Sequence, residues 1–493
     1  MADLEQRYLQ RLSRYTAAMR NEQPDCVPIR PFVAEFTGAY AGYTCQEMAH
    51  DYEKAFAAAR RCAADFDWDA VVPNMLATWT GMTQAIGLKY YMTPGIDLPA
   101  NVGHQYREPS VDDAWMKPDE YDALIEDPTG YLYNVWLPRV AAPLSPVGGP
   151  VTFEHNTSLV KGAMAMMQFF SAWGVQETRL RIESGTVSAI SGMLRAPLDF
   201  IADKLRGYVG LVDDLFQRPQ QVRAACEAMM PHLTQFALAT ADPHKNVPIG
   251  FWMHRGCVPF ITPAQFDNVF WPTLKPIVQE LWAHGHQTLF YAEGNWDRHL
   301  ASFAELPDRS IVYHVDRGDI LRVHQMLGHK FCLSGGVPNY LLAFGSADEV
   351  RRHCRQVIES VARDGGYIMD ANAIVQNDAK VENIRAMTEA TLEYGVYSRG
   401  HAATGQVVGS APASSPRTPL SGPSGPQPLP EDARPDAFVC RTEGRRPPGS
   451  CTPWDEKRLQ LPSIQGDEAL CQRIWESIDV LGNMYVWWIA LAF

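Results

Sequence analysis

The chain has 493 residues, 46% of them hydrophobic and 20% charged, with a formal net charge of −13. That length holds a large single-core domain plus extra pieces, and the composition is that of a globular protein. The acidic balance and the lack of a long Lys/Arg run exclude nucleic acid as a partner, because neutralising phosphates needs a basic face.

In chain order, the opening MADLEQRYLQRLSRYTAAMR predicts an amphipathic helix within residues 1–25 and lacks the apolar core of an export signal. No apolar run reaches the roughly 18–20 residues of a membrane span, so no membrane partner is expected. The 10 cysteines include no CxxC pair, which points to reduced, mostly buried thiols in a cytoplasm. VPIRPF (27–32) predicts a first strand with Glu35 just beyond it. Thr44 opens a helix running to about residue 65, and Glu47 completes a capping box. DAVVPN (69–74) predicts a second strand ending in Asn74. Residues 80–150 are rich in Pro and Gly, with a helical patch at 118–125, and are expected to be an insertion over the mouth or side of a pocket. A helix over 159–173, a third strand over 186–193 and helices over 197–209 and 219–239 follow.

From residue 247 the rhythm is regular. Strands are predicted at 249–253, 288–291, 311–315, 331–333 and 367–369. They alternate with helices at 262–284, 296–305, 320–327, 346–363 and 380–394. Such alternation means parallel strands with crossover helices. Eight units in roughly 370 residues suit a closed (β/α)8 TIM barrel better than an open sheet. An open sheet would carry a Gly-rich phosphate turn after its first strand; none is present, so no nucleotide cofactor is expected. The barrel domain is thus expected over 1–397, with an N-terminal helix and an insertion after strand 2. Residues 398–451 read as a Pro/Ser/Gly-rich linker or insertion without order. Residues 452–493 read as a helical extension whose apolar end packs on the barrel or on a second subunit, as in a homodimer.

Four strands share one design, an apolar run closing on polar groups. They are IGFWMHR (249–255), QTLFYAEGN (287–295), IVYHVD (311–316) and YIMDAN (367–372). In a barrel these ends meet at one mouth. Glu293 is costly to bury without a partner; the structural alternative is an ion pair with Arg255 or Arg317. His254 and Arg255 follow an apolar run. His314 and Asp316 share a strand face, and a hydrogen-bond network at the rim is their alternative. Asn372, Tyr291, Glu35 and Asn74 complete the candidates for substrate contact. Bland readings are preferred for His284 and His286 at a helix end, Cys257 as an inert thiol, and Trp487 and Trp488 as packing groups. Arg206 is left open between a salt-bridge anchor and an anion contact.

The order of these pieces over about residues 10–397 resembles the uroporphyrinogen decarboxylase superfamily of (β/α)8 barrels. The resemblance is carried by APLDFIADKLRG (196–207), SGGVPNYLLAFGSADEV (334–350) and GGYIMDANAIVQNDAKVENIRAM (365–387). The superfamily includes the decarboxylase and zinc-dependent, corrinoid-linked methyltransferases. The decarboxylase's two substrate-gripping arginines fall on Glu35 and Ala39. Its strand-end Asp, active-site Tyr and late His fall on Asn74, Asp203 and Asn372. A porphyrinogen bearing many carboxylates needs cations, so that substrate is not expected. The methyltransferases' His-x-Cys-Gly falls on Tyr291-Ala292-Glu293-Gly294, and their later Cys on Asn372. Any divalent, zinc-like metal would therefore need a harder site from Glu293, His254 and His314, or Glu35.

The resemblance implies an enzyme that moves a methyl group from a small methylated substrate toward a corrinoid protein or a thiol. Glu293, His254 and Asn372 would be catalytic. Glu35, Asn74, Arg255, Tyr291, His314 and Asp316 would contact substrate. The alternatives are a decarboxylase or lyase acting on a different carboxylate held by Arg255, and a non-catalytic ligand-binding barrel.

Overall fold

The computed structural model describes residues 2–72, 77–146, 148–397, 448–449 and 451–491. In chain order its strands are β1 (Ala70–Val71), β2 (Tyr91–Met92), β3 (Gln105–Tyr106), β4 (Val187–Ser188), β5 (Ser191–Arg195), β6 (Ile249–Met253), β7 (Thr288–Ala292), β8 (Ile311–Val315), β9 (Cys332–Gly335) and β10 (Tyr367–Ile368). Strands β5 to β10 form one parallel sheet in which sequence neighbours are also spatial neighbours. Helices cross over between them, as the alternation requires. β6, β7 and β8 are buried at every position. Both of their faces are covered, so these segments read as continuous apolar runs rather than alternating ones. The register aligns Met253 with Ala292 and Ala292 with Val315. His254, Glu293 and Asp316, each one residue further on, therefore emerge at the same end of the sheet.

β1 and β4 form a second parallel pair. The segment 29–33 lies between this pair and the far edge of the large sheet, through isolated parallel bridges Ile29–Met369 and Phe32–Val72. The architecture is of the TIM-barrel α/β type, with parallel strands, but its hydrogen-bonded ladders do not run continuously around a ring. The first strand expected at 27–32 exists only as these bridges. Pro28 and Pro31 have no N–H to offer a ladder. The third strand continues beyond its expected end to Arg195, after a register break between Ser191 and Met193 where Gly192 adopts φ 64°.

The three capping boxes, Thr44/Glu47, Thr262/Gln265 and Ser346/Glu349, all close. Each cap contributes about 1 kcal/mol. The first of these helices is short, Cys45–His50, because Asp51 ends it and caps the next, Tyr52–Asp65. The expected helix at 197–209 is instead an α turn, Pro197–Phe200, followed by a wider π-helical turn, Ile201–Arg206. Its last residue, Arg206, is the salt-bridge anchor, bonded to Asp214 at 2.5 Å and to the Met116 carbonyl at 2.6 Å.

Two pieces flank the strand ends. The insertion carries the antiparallel β2/β3 pair, and the helix that follows it, Phe153–Arg179, is longer than expected and capped by Thr152. The C-terminal helix, Glu468–Leu491, buries its last turns against the body of the protein. Trp487 is fully buried there; its indole N–H donates to Thr129 and its ring stacks on His232. The residues that would test the expected linker, 398–447, lie outside the described ones, as does Asn74. No helix among the described residues is long and apolar enough to cross a membrane.

Candidate active site at the strand ends

A cavity of about 600 Å³ opens at the C-terminal ends of β5 to β8. Its charged lining is Arg195, Asp203, Lys204, His254, Arg255, Glu293, Asp316 and Arg317; Trp252, Tyr91, Tyr106 and Phe260 supply the apolar walls.

Asp199 and Asp203 organise this set. The Asp199 carboxylate accepts the backbone N–H groups of Arg255 (2.8 Å) and His254 (3.2 Å), fixing the turn that leaves β6. Burial pushes its pKa up to about 6, against the pull of the His254 charge. One helical turn later, Asp203 accepts from three cationic side chains. His254 Nε2 lies 2.7 Å away, Arg195 Nη1 2.6 Å and Arg255 Nε 3.0 Å. Burial alone would raise the Asp203 pKa, but His254, Arg195 and Arg255 overwhelm it and hold the group ionised far below the usual carboxylate range. The converse holds for His254. Burial pulls it down, while the charge and hydrogen bond of Asp203, helped by Asp199 and Glu293, carry it above the ordinary imidazole value. Its other ring nitrogen, Nδ1, is buried with no hydrogen-bond partner among the described residues. Arg255 extends from this cluster toward Glu108 (3.5 Å) and packs over the Tyr208 and Phe260 rings.

Glu293 stands across the cavity. No Arg, Lys or His nitrogen among the described residues approaches its carboxylate within ion-pairing distance, so the alternative reading, a structural pair with Arg255 or Arg317, does not hold. Burial raises its pKa first; His254 and Arg195 lower it, and Asp316 and Asp203 add to the rise. The following Gly294 has φ 92°, and a Cβ there would sit 2.5 Å from the Cys257 sulfur. Only glycine allows this turn. Asp316 is raised by burial, and accepts from the Gly294 N–H at 2.7 Å.

Four sequence candidates, His254, Arg255, Glu293 and Asp316, thus share one cavity. Four others do not line it. Tyr291 and His314 lie two residues before Glu293 and Asp316, on the same strand face but one layer deeper. In register with Trp252, and with Phe32 packed against them, they fill the interior beneath the cavity. Both His314 ring nitrogens are engaged, with Ser334 at 3.0 Å and the Asn372 carbonyl at 2.8 Å. Burial drops its pKa to about 3, so it is neutral. Asn372 donates to the Asp316 carbonyl and ties two strand ends together. Glu35 is buried away from this cavity, beside Gly103 and the His104 backbone.

These placements bear on a metal. Glu293 and His254 share the cavity but His314 is committed beneath it. Among the described residues no three His, Cys, Asp or Glu side chains cluster as a metal site. Cys257, close by, bonds the His254 carbonyl, and burial pushes its thiol up to about 12. The donors present do not fit a zinc-like centre.

Sequence reasoning missed Arg195, Lys204, Tyr91 and Tyr106. Arg195 closes SGMLR just as Arg255 follows IGFWM, so the same strand-end signal was there to be extended. Lys204 depends on the π-helical turn and the two tyrosines on the β2/β3 pair, which have no comparable local signature.

Residues 177–394 match the family model described as uroporphyrinogen decarboxylase (URO-D). No curated protein matches the chain. Among solved structures, the chain is similar to a methyltransferase from Methanosarcina mazei at 15% identity and a TM-score of 0.49, covering 78% of this chain and 98% of that one.

Proposed function

We propose, for a chain that carries a uroporphyrinogen decarboxylase family domain over residues 177–394, an enzyme whose central step is proton delivery by His254 to a small substrate in the strand-end cavity. One observation carries this reading. His254 Nε2 is held by Asp203 at 2.7 Å while Nδ1, buried, has no hydrogen-bond partner among the described residues. An imidazolium stabilised on one side by a carboxylate, with its other N–H unclaimed, can act as a general acid toward a group that reaches it. Glu293, in no ion pair among the described residues and with a raised pKa, is the second acid–base group.

Applied to methyl transfer, the arrangement lets His254 protonate the heteroatom as its bond to the methyl carbon breaks. The heteroatom keeps the bonding pair, and the acceptor supplies a new pair to the methyl carbon. That acceptor is a thiol or a corrinoid on another protein, whose chemistry would be nucleophilic attack. Trp252, Tyr91 and Phe260 exclude water, and Arg255 and Arg195 keep Asp203 ionised. The residues present do not support a step through a metal.

A second reading, decarboxylation or lysis of a small carboxylate, is favoured by the two guanidinium groups, Arg195 and Arg255, that line the cavity beside His254. There the same imidazolium would protonate the carbanion left when CO2 departs. Two panels separate the readings: small methylated amines, thiols and ethers with a cobalamin or thiol acceptor, and small carboxylic acids followed by CO2 release. On whichever substrate turns over, His254→Gln should lower kcat by roughly 10²–10⁴-fold. Unchanged turnover in that variant would reject the acid role. Turnover of neither panel, with anion binding lost in Arg255→Ala, would favour a non-catalytic barrel.

A further inference from the structure

Lys204 occupies the π-helical turn next to Asp203, with only 1% of its surface exposed, yet it lines the cavity wall. Its Nζ lies 4.2 Å from the ring centroid of Tyr90 and 5.4 Å from that of Tyr91. Burial and the neighbouring Arg195 charge push the amine far below the usual lysine range, and Asp203 opposes them only in part. A desolvated lysine beside another cation gives up its proton more readily than a free one, and the lone pair so released is a nucleophile toward carbonyl carbon.

We propose that Lys204 is a covalent-binding residue, taking a small aldehyde or ketone in the strand-end cavity as a Schiff base. The Nζ lone pair attacks the carbonyl carbon, and the C=O π pair moves to oxygen, which takes a proton. Nitrogen then loses a proton, and the carbinolamine hydroxyl leaves as water with one further proton, for which His254 is the nearby acid. The product is a protonated imine, with one water released and no change in oxidation state. Its positive charge lies against the Tyr90 and Tyr91 rings, whose faces attract cations. The site therefore selects small carbonyl compounds that fit between Trp252, Tyr106 and the two arginines.

The inference rests on Lys204 rather than on the acid role of His254, and the experiment keeps them apart. The full chain is incubated near neutral pH with acetaldehyde or acetone and sodium cyanoborohydride, and alkylated lysines are located by peptide mass mapping. Lys204 is expected to be alkylated at least roughly tenfold faster than exposed lysines such as Lys161, because exposed amines are almost wholly protonated there. Lys204→Met, which keeps the stem and removes the amine, should fold and lose the fast adduct. His254→Gln should slow trapping but leave it at Lys204. Alkylation of Lys204 no faster than that of exposed lysines in the unsubstituted protein overturns the proposal, whatever the variants do.

Discussion

Replacing Asp203 by Asn keeps the shape of the side chain and removes the charge on which three cations depend. Arg195, 4% exposed, and Arg255 would each lose a charged acceptor, and the new amide NH₂ would face donors. Breaking a buried ion pair by neutralising one partner costs about 3–5 kcal/mol; the amide oxygen still accepts one bond, so about 3 kcal/mol is expected here. At about 2.1 cal/mol/K per residue over about 400 residues, the unfolding entropy is about 0.8 kcal/mol/K, and Tm falls by about 4 °C. The pH dependence is more diagnostic. His254 is raised in the folded state, so its contribution is fully present below the unfolded imidazole pKa of about 6.5 and is lost as pH climbs through the higher folded value. Asp203 is depressed, so its own contribution is full above the unfolded carboxylate pKa of about 3.9 and is lost only as pH falls below it. The unsubstituted protein should therefore lose stability on the alkaline side of about pH 6.5, and Asp203→Asn should flatten or reverse that slope, since burial then pulls His254 down. Thermal unfolding from about pH 5.5 to 9, with NMR titration of the imidazole, reads both effects. An Asn variant with unchanged Tm and the same alkaline slope would refute the account of this cluster.

Three further outcomes follow from the same geometry. Glu293→Gln should melt higher than the parent at neutral pH, with the gain growing as pH rises through the carboxylate range, because a carboxyl with a raised folded pKa destabilises the fold once ionised. Turnover should nonetheless fall about a hundredfold, and a lower Tm at neutral pH would count against an unpaired carboxylate. His314→Ala should cost about 3–4 kcal/mol in urea unfolding, from two lost buried hydrogen bonds and a cavity. With the folded ring neutral down to about 3 while the unfolded imidazole protonates below about 6.5, this loss should be full above about pH 7 and shrink by about 1.4 kcal/mol for each pH unit below about 6.5; a loss that stays flat down to about pH 5 would mean His314 takes up its proton in the fold. Iodoacetamide at about pH 8 should leave Cys257 unmodified in the native protein while exposed Cys471 reacts, which mass mapping checks.

What the sequence makes legible here is set by how local each cause is. β6 to β8 are buried on both faces, so their apolar runs announce them, and the polar residue one step beyond each run reaches the cavity. The two-residue period also explains the misplacement of Tyr291 and His314. Side chains at i and i+2 share a face, but only the outer one reaches the mouth, and pattern alone does not tell which layer is outermost. The segment with Pro28 and Pro31 keeps its place between neighbours while losing the ladder that defines a strand. Lys204 is harder still to read. In a plain α-helix its direction would follow from 3.6 residues per turn, but the π-helical turn Ile201–Arg206 widens the spacing and re-aims the side chains.

The cavity is assembled from two sources with different roles. All of its ionisable groups except Tyr91 and Tyr106 belong to the span 177–394, which is also the span that matches the family. The two tyrosines come from the β2/β3 pair of the insertion, where Tyr106 donates to the Asp203 carbonyl at 2.5 Å. That hairpin has only two residues per strand, too few to hold itself in water. It is braced from outside: the hydroxyl of buried Tyr90, one residue before β2, donates to the Ile489 carbonyl at 2.7 Å in the C-terminal helix. Trp487 of the same helix packs against Phe200, on the turn that leads into Asp203 and Lys204. The C-terminal helix therefore touches both the wall of the cavity and the turn that carries its charges, without lining the cavity itself. Loosening that helix would free the hairpin and the π-helical turn together. Substrate selection would then suffer before the strand-end residues His254 and Glu293 moved at all, because the ladder of β6 and β7 holds those.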